Sequence, residues 1–278
     1  MMSRRSLVLG ATGAAIGAAK PHAGAQTNAW TIDPNDLNSL LQVLRTIKRL
    51  GFEGFETSFR NVQAQFEHPQ AASDELRKIG LRFFGVHVFL TAYDPQTSIG
   101  PWDLLKTVAD GGKVLGAERL IVSGASTPDP AALSRKAKAL DRAARYCFDK
   151  GIKFGYHNHD AEFRENGRQI EALLRDTDKA LVHLILDAGH AQEGGANVAE
   201  FFTKYSYRID ALHLRDARQG KEVPLGQGDY DWRPLAAAVA GVKWDGWVLA
   251  EEERLSGEKP GEAAIKPARE AIRRVFGI

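Results

Sequence analysis

From residue 25 to the C-terminus the chain alternates strand-like and helix-like segments, eight of each, at a spacing of about 30 residues. Strands are predicted over residues 25–32, 52–59, 81–90, 119–123, 152–159, 181–186, 209–215 and 247–251. The first helix is predicted to open at Pro34, to carry Leu37, Leu40, Leu41, Leu44 and Ile47 at helical spacing, and to stop at Gly51. Further helices are predicted over 71–79, 102–115, 130–150, 168–175, 197–205, 232–240 and 263–275. No linker or low-complexity break interrupts this alternation. Eight strand–helix pairs in one unit of this length predict an α/β fold, the (β/α)8 TIM barrel. An open doubly wound sheet is the competing architecture, but it would carry a glycine-rich phosphate turn after its first strand, and none is visible there.

Composition excludes several function classes. The 278 residues are 26% charged and 44% apolar, with a net charge of +2. That balance gives no electrostatic footprint for nucleic acid or an anionic membrane. The single Cys147 cannot close an internal disulfide, and its helix-like surroundings suit a packed thiol rather than a nucleophile or a zinc ligand. The N-terminus reads Ser3-Arg4-Arg5-Ser6-Leu7-Val8-Leu9, followed by an Ala- and Gly-rich stretch to Ala19. It resembles a twin-arginine export signal, and it is too short and glycine-rich for a transmembrane helix. Residues 1–20 are therefore expected to be an export signal cut near residues 18–20, with 21–278 forming the barrel in the periplasm. Cleavage after Ala25 would shave the first strand. No stable membrane association is expected after export, and a homo-oligomer is compatible with the sequence.

Polar residues gather where strands end, the face on which active sites of such barrels lie. The fifth strand ends His157-Asn158-His159-Asp160, and Gly155, on the same face, suits a crowded barrel interior. The sixth is the apolar run to Leu186, followed by Asp187-Ala188-Gly189-His190; the seventh carries His213, then Arg215-Asp216; the eighth ends Glu251-Glu252-Glu253. Alone, Asp187 reads equally as a helix cap or a metal ligand. Histidine and carboxylate residues at four successive strand ends make a nitrogen and oxygen site for one divalent metal: Mn, Co, Zn, Fe or Mg.

Five elements resemble those of the xylose-isomerase-like barrels, the sugar isomerase/epimerase superfamily. They are Gly51-Phe52-Glu53-Gly54-Phe55-Glu56, Asp187-Ala188-Gly189-His190, His213-Leu214-Arg215-Asp216, the loop from Pro224 to Trp232, and Gly246-Trp247-Val248-Leu249-Ala250-Glu251. The resemblance implies a divalent metal held by Asp187, His213 and Glu251. The family's first ligand, a glutamate, falls on His157, so the sequence departs from the pattern there; an imidazole can still ligate, and inosose dehydratase resembles this variant. In the ketose epimerases of the family the two ligand glutamates are also the acid and base on either face of an enediolate. With His157 in one of those places, His157 and Glu251 become the expected catalytic pair, and chemistry by a single carboxylate base becomes more natural than symmetric epimerisation. His159, His190 and Arg215 are expected to supply a second acid or to bind hydroxyls. His87 and Trp30 are expected to line the site, and Trp102 is a further candidate wall or a packing residue.

The expected function is a divalent-metal-dependent isomerase or epimerase of a sugar or polyol, working through a metal-stabilised enediolate. The alternative is a lyase or dehydratase acting on a keto-sugar or 3-keto-glycoside, suited to the unphosphorylated substrates of the periplasm. In either case the expected partner is a small carbohydrate. Near-neutral charge and export both argue against the apurinic endonuclease activity found in the same superfamily, and so against nucleic acid as a partner. A sugar-binding barrel without catalysis would keep its ligand affinity when Asp187 or His213 is replaced.

Overall fold

A computed structural model of the chain describes residues 20–252 and 256–278. The candidate export signal, residues 1–19 and the adjoining Lys20, thus falls almost wholly outside the described residues.

Eight parallel strands close into a barrel in the order β1-β10-β7-β6-β5-β4-β3-β2. They are β1 (His22–Gln26), β2 (Gly54–Ser58), β3 (Arg82–Val88), β4 (Arg119–Ser123), β5 (Lys153–His157), β6 (Val182–Asp187), β7 (Ile209–Leu214) and β10 (Trp247–Ala250). A small antiparallel hairpin, β8 (Asp216–Arg218) and β9 (Lys221–Val223), follows β7. The helices are α1 (Leu37–Arg49), α2 (Pro69–Ile79), α3 (Trp102–Leu115), α4 (Pro130–Asp149), α5 (Asp160–Asp176), α6 (Ala188–Glu193), α7 (Val198–Tyr205), α8 (Arg233–Gly241) and α9 (Glu262–Phe276). This is the expected (β/α)8 barrel. Among the described residues no helix is long and apolar enough to cross a membrane.

Two cores hold the fold. The larger lies between the strands and the helix ring. The smaller fills the barrel interior with Phe84, Ile121, Ile185, Ala211, Trp247 and Leu249. These inward side chains are large because their neighbours on adjacent strands are small: a Cβ on Gly85 would lie 2.4 Å from Ile121, and one on Gly54 2.5 Å from the Trp247 ring. At the N-terminal end Arg119 lies over the Phe84 ring at 3.9 Å and pairs with Asp210 at 3.2 Å. The barrel interior is therefore filled toward the N-terminal ends of its strands.

Two expectations need correction. The first strand is His22–Gln26 rather than residues 25–32, and Thr27–Ala29 is a single 3-10 turn. The first helix is capped by Asp36, whose side chain accepts from the Asn38 N–H, so Pro34 precedes the helix instead of opening it.

Candidate metal centre

Four side chains meet at the C-terminal mouth of the barrel. His157 ends β5, Asp187 ends β6, His213 lies on β7 and Glu251 follows β10. All four are buried. His157, His213 and Glu251 each present one ligand atom, and the three atoms lie within 4.8 Å of one another. Glu251 Oε2 is 2.7 Å from His213 Nδ1 and 3.4 Å from His157 Nε2. The other carboxylate oxygen, Oε1, is turned toward Asn28 Nδ2 at 3.5 Å, on the cleft side.

Asp187 divides its carboxylate between two duties. Oδ1 accepts from the His190 backbone N–H at 2.8 Å and caps α6. Oδ2 has no hydrogen-bond partner, although the residue is fully buried. It lies 3.7 Å from His157 Nε2 and 3.9 Å from Arg215 Nη1. The cap and the ligand readings of this residue are therefore compatible, because each uses a different oxygen. A buried carboxylate oxygen without a donor is costly, and a cation among these four residues would satisfy it. The donor set of two imidazoles and two carboxylates fits a divalent transition metal or Mg.

The charge states follow from burial and neighbours. Burial pushes Asp187 up to about 6, although His190 and Arg215 oppose it. Burial likewise holds His157 well below the ordinary histidine value, against the pull of Glu251. For His213 burial acts downward, but Glu56 and Glu251 outweigh it and the imidazole stands well above its ordinary value. Glu251 feels burial upward, yet His213 and His157 hold it well below the carboxylate range.

The remaining expected residues fall into two groups. His87, His159 and Trp30 line a cleft of about 330 Å3 that opens beside His157 and Glu251, together with Arg60 and Phe89. His159 stands edge-on to His157 at 5.3 Å and tilted to His190 at 5.0 Å, and burial lowers it to about 4, so its ring is neutral above that pH. His190 and Arg215 hydrogen-bond to each other and line a separate hollow toward Glu193 and Tyr230. Trp102 is not in the site: it packs edge-on against Tyr146 and lies under Arg142, on the outside of the barrel.

Glu56, to which sequence reasoning gave no role, also meets this site. It stands at the end of the Gly51–Glu56 element, and its carboxylate reaches across the barrel to His213 Nε2 at 2.8 Å and to His87 Nδ1 at 2.9 Å. The Asp216 element and the loop after it are structural. Asp216 accepts from the backbone N–H groups of Gly226 and Gly228, and a Cβ on Gly228 would lie 2.0 Å from its carboxylate. The 224–230 loop is thus wrapped on Asp216 rather than on a ligand.

Comparison with known proteins agrees with this fold. The family model of the xylose isomerase-like TIM barrel matches residues 44–275. Inosose dehydratase of Geobacillus kaustophilus is 31% identical over 155 residues, 49% of this chain and 50% of the relative. The chain spans about half the length of the curated relatives it matches. D-allulose 3-epimerase from Methylomonas sp. superposes with a TM-score of 0.76 at 19% identity, covering 93% of this chain and 98% of that one. The 3-keto-D-glucoside 4-epimerase of E. coli superposes with a TM-score of 0.71 at 16% identity, covering 93% and 100%. These solved structures share the fold, and the matched region takes in all four residues of the candidate centre; the chain belongs to the xylose isomerase-like TIM barrel family.

Proposed function

We propose that this chain is a divalent-metal-dependent isomerase or epimerase of a sugar or polyol, acting by proton transfer at the carbon beside a carbonyl. The observation that carries this reading is the convergence of His157, His213 and Glu251 within 4.8 Å, with the unpartnered Oδ2 of Asp187 beside them. His157, Asp187, His213 and Glu251 would hold the metal. Bound there, Mn, Co, Zn, Fe or Mg supplies a Lewis acid that polarises the carbonyl and acidifies the neighbouring C–H.

The chain's own residues do the rest. Glu251 is ionised at neutral pH, and its Oε1, on the cleft side, takes the proton from carbon. His157 lies beside it as ligand and neighbour to the reacting atoms. His159 is a neutral imidazole able to accept from or donate to a substrate hydroxyl. His87 lines the same cleft, while Trp30 and Phe89 offer apolar walls. Arg215 and His190 lie behind Asp187, where their charge steadies its carboxylate.

A second reading has its own support. The curated relatives are inosose dehydratases, and β5 contributes His157 where a second carboxylate base would stand. One carboxylate suffices for elimination: Glu251 takes the proton from carbon, a C=C bond forms as the C–O bond β to the carbonyl breaks, and the departing hydroxyl takes that proton back from Glu251 and leaves as water. A keto-inositol or 3-keto-glycoside is the substrate class for that reaction. The export signal read from residues 1–20 supports a periplasmic setting and an unphosphorylated carbohydrate in both readings.

Proton NMR in deuterated buffer tests the two together. Deuterium entering ketoses or keto-glycosides with the carbon skeleton retained supports epimerisation or isomerisation. Appearance of an unsaturated ketone with loss of water supports the dehydratase. Metal-loaded protein that does neither overturns both.

A further inference from the structure

We propose that Glu56 is a positioning residue that fixes which ring nitrogen each histidine turns toward the metal, His213 directly and His157 through His87 and Ser123. The inference rests on the metal reading above and adds to it the residues that prepare the ligands.

The argument is one of donors and acceptors. An ionised carboxylate only accepts. Glu56 Oε2 lies 2.8 Å from His213 Nε2, so that nitrogen must carry the hydrogen and donate it. Nδ1 of His213 faces Glu251 Oε2 at 2.7 Å, and with Nε2 held by Glu56 it is the nitrogen whose hydrogen a metal shared with Glu251 would displace. Glu56 Oε1 accepts from Gln26 Nε2 at 2.7 Å and from His87 Nδ1 at 2.9 Å. With its hydrogen on Nδ1, a neutral His87 can only accept at Nε2, which stands 2.8 Å from Ser123 Oγ. The serine hydroxyl therefore donates to His87 and turns its lone pairs toward His157 Nδ1, at 3.4 Å. His157 donates from Nδ1 and is left with a lone pair on Nε2, the atom that faces Asp187 and Glu251. The two histidines thus present different nitrogens, and one carboxylate sets both.

Three features make the chain of bonds directional. Every member, from Gln26 to His213, is buried, which limits competition from solvent even where Gln26, His87 and His157 border the cleft. The strand pairing of β2 with β3 shifts register between Phe55 and Glu56, which re-aims the Glu56 side chain. Glu56 crosses from β2 to β7, which are not neighbours in the barrel, so it ties opposite walls of the mouth together.

The test uses the full chain loaded with Zn2+, labelled with 15N-histidine, and read by long-range 1H–15N correlation. The expected spectrum shows His213 protonated at Nε2 and ligating through Nδ1, and His157 protonated at Nδ1 and ligating through Nε2. Chelator competition gives the zinc Kd in parallel. Glu56→Gln offers a single acceptor oxygen and so satisfies one histidine only; its zinc Kd is expected to weaken by about 10- to 100-fold. Ser123→Ala removes only the second arm, and is expected to disturb the His157 signals while leaving those of His213 in place. Zinc bound with either histidine in the reverse form, or a Glu56→Gln protein with unchanged Kd and unchanged imidazole signals, overturns this inference alone. Wild-type protein that takes up no zinc overturns the metal reading and the inference with it. Should Glu56→Gln fail to fold, the wild-type spectrum and Ser123→Ala still decide.

Discussion

At the scale of single residues, Asp187 pays most visibly for function: one oxygen caps α6 and the other is buried without a donor. Its folded pKa is raised from 3.8 to about 6, with burial the first cause. The sign follows directly. A carboxylate raised on folding favours the folded state when protonated, so its contribution is most favourable below pH 4 and is lost as pH rises through 6. In metal-free protein, Asp187→Asn is therefore expected to raise stability at pH 7.5 by on the order of 2 kcal/mol and to change little near pH 4. Denaturant melts at the two pH values check this; equal effects at both would contradict it. Cys147 is the opposite case, a group with no chemistry. Burial pushes its thiol up to about 12. Folded protein is expected to resist alkylation by iodoacetamide across pH 7 to 9, with reaction only after unfolding; rapid modification of native protein would contradict the placement. The four residues of the candidate centre were legible in the sequence because each lies at, or one residue from, the C-terminal end of a strand. Glu56 was not, because its partners His87 and His213 come from distant strands, and no spacing along the chain reveals a contact across a barrel.

At the scale of elements, the least legible strand was the first. β1 reads His22-Ala23-Gly24-Ala25-Gln26 and lacks the apolar bulk that marks a buried strand. The structure supplies the reason: a Cβ on Gly24 would lie 3.1 Å from Leu249 and 3.2 Å from Trp247. Small residues are required there by the large ones on β10, and the resulting Ala/Gly run merges with the Ala- and Gly-rich sequence before it. Helix α6 was hidden for a different reason, since its six residues are too few to show a period. The start of α5 depends on a buried ion pair. Glu162 Oε1 accepts from Lys136 Nζ at 2.7 Å and from Tyr156 Oη, while Oε2 accepts from the His159 N–H at 2.9 Å. This pair ties α4 to the turn that presents His159 to the cleft. Glu162→Ala is expected to lower stability by about 3 kcal/mol, because it leaves Lys136 charged and unpaired in the interior. Adding Lys136→Met should recover much of that loss. Thermal melts of the two variants check it; a single variant as stable as wild type would contradict the role given to the pair.

At the scale of the whole molecule, the barrel mouth is asymmetric. On the side of β1 to β3 it opens into the cleft lined by Trp30, Arg60 and Phe89. On the side of β6 and β7, Arg215 and His190 fill the space behind Asp187 and face a second hollow. Glu251 Oε1 therefore faces the cleft on the β1–β3 side. The architecture itself was legible, since eight alternations leave few alternatives to a closed barrel. The shape of the mouth was not, because it is set by loops whose course depends on long-range anchors such as Asp216. The central claim is that Glu251 moves a proton at carbon beside a metal held by His157, Asp187, His213 and Glu251. The most direct measurement is deuterium incorporation from solvent, followed by NMR on a panel of ketoses, keto-inositols and 3-keto-glycosides with metal-loaded protein. The account predicts exchange at the carbon beside the carbonyl with wild type and its loss, by at least about 100-fold, in Glu251→Gln. No exchange or elimination anywhere in the panel with wild type, or exchange by Glu251→Gln at the wild-type rate, would contradict it.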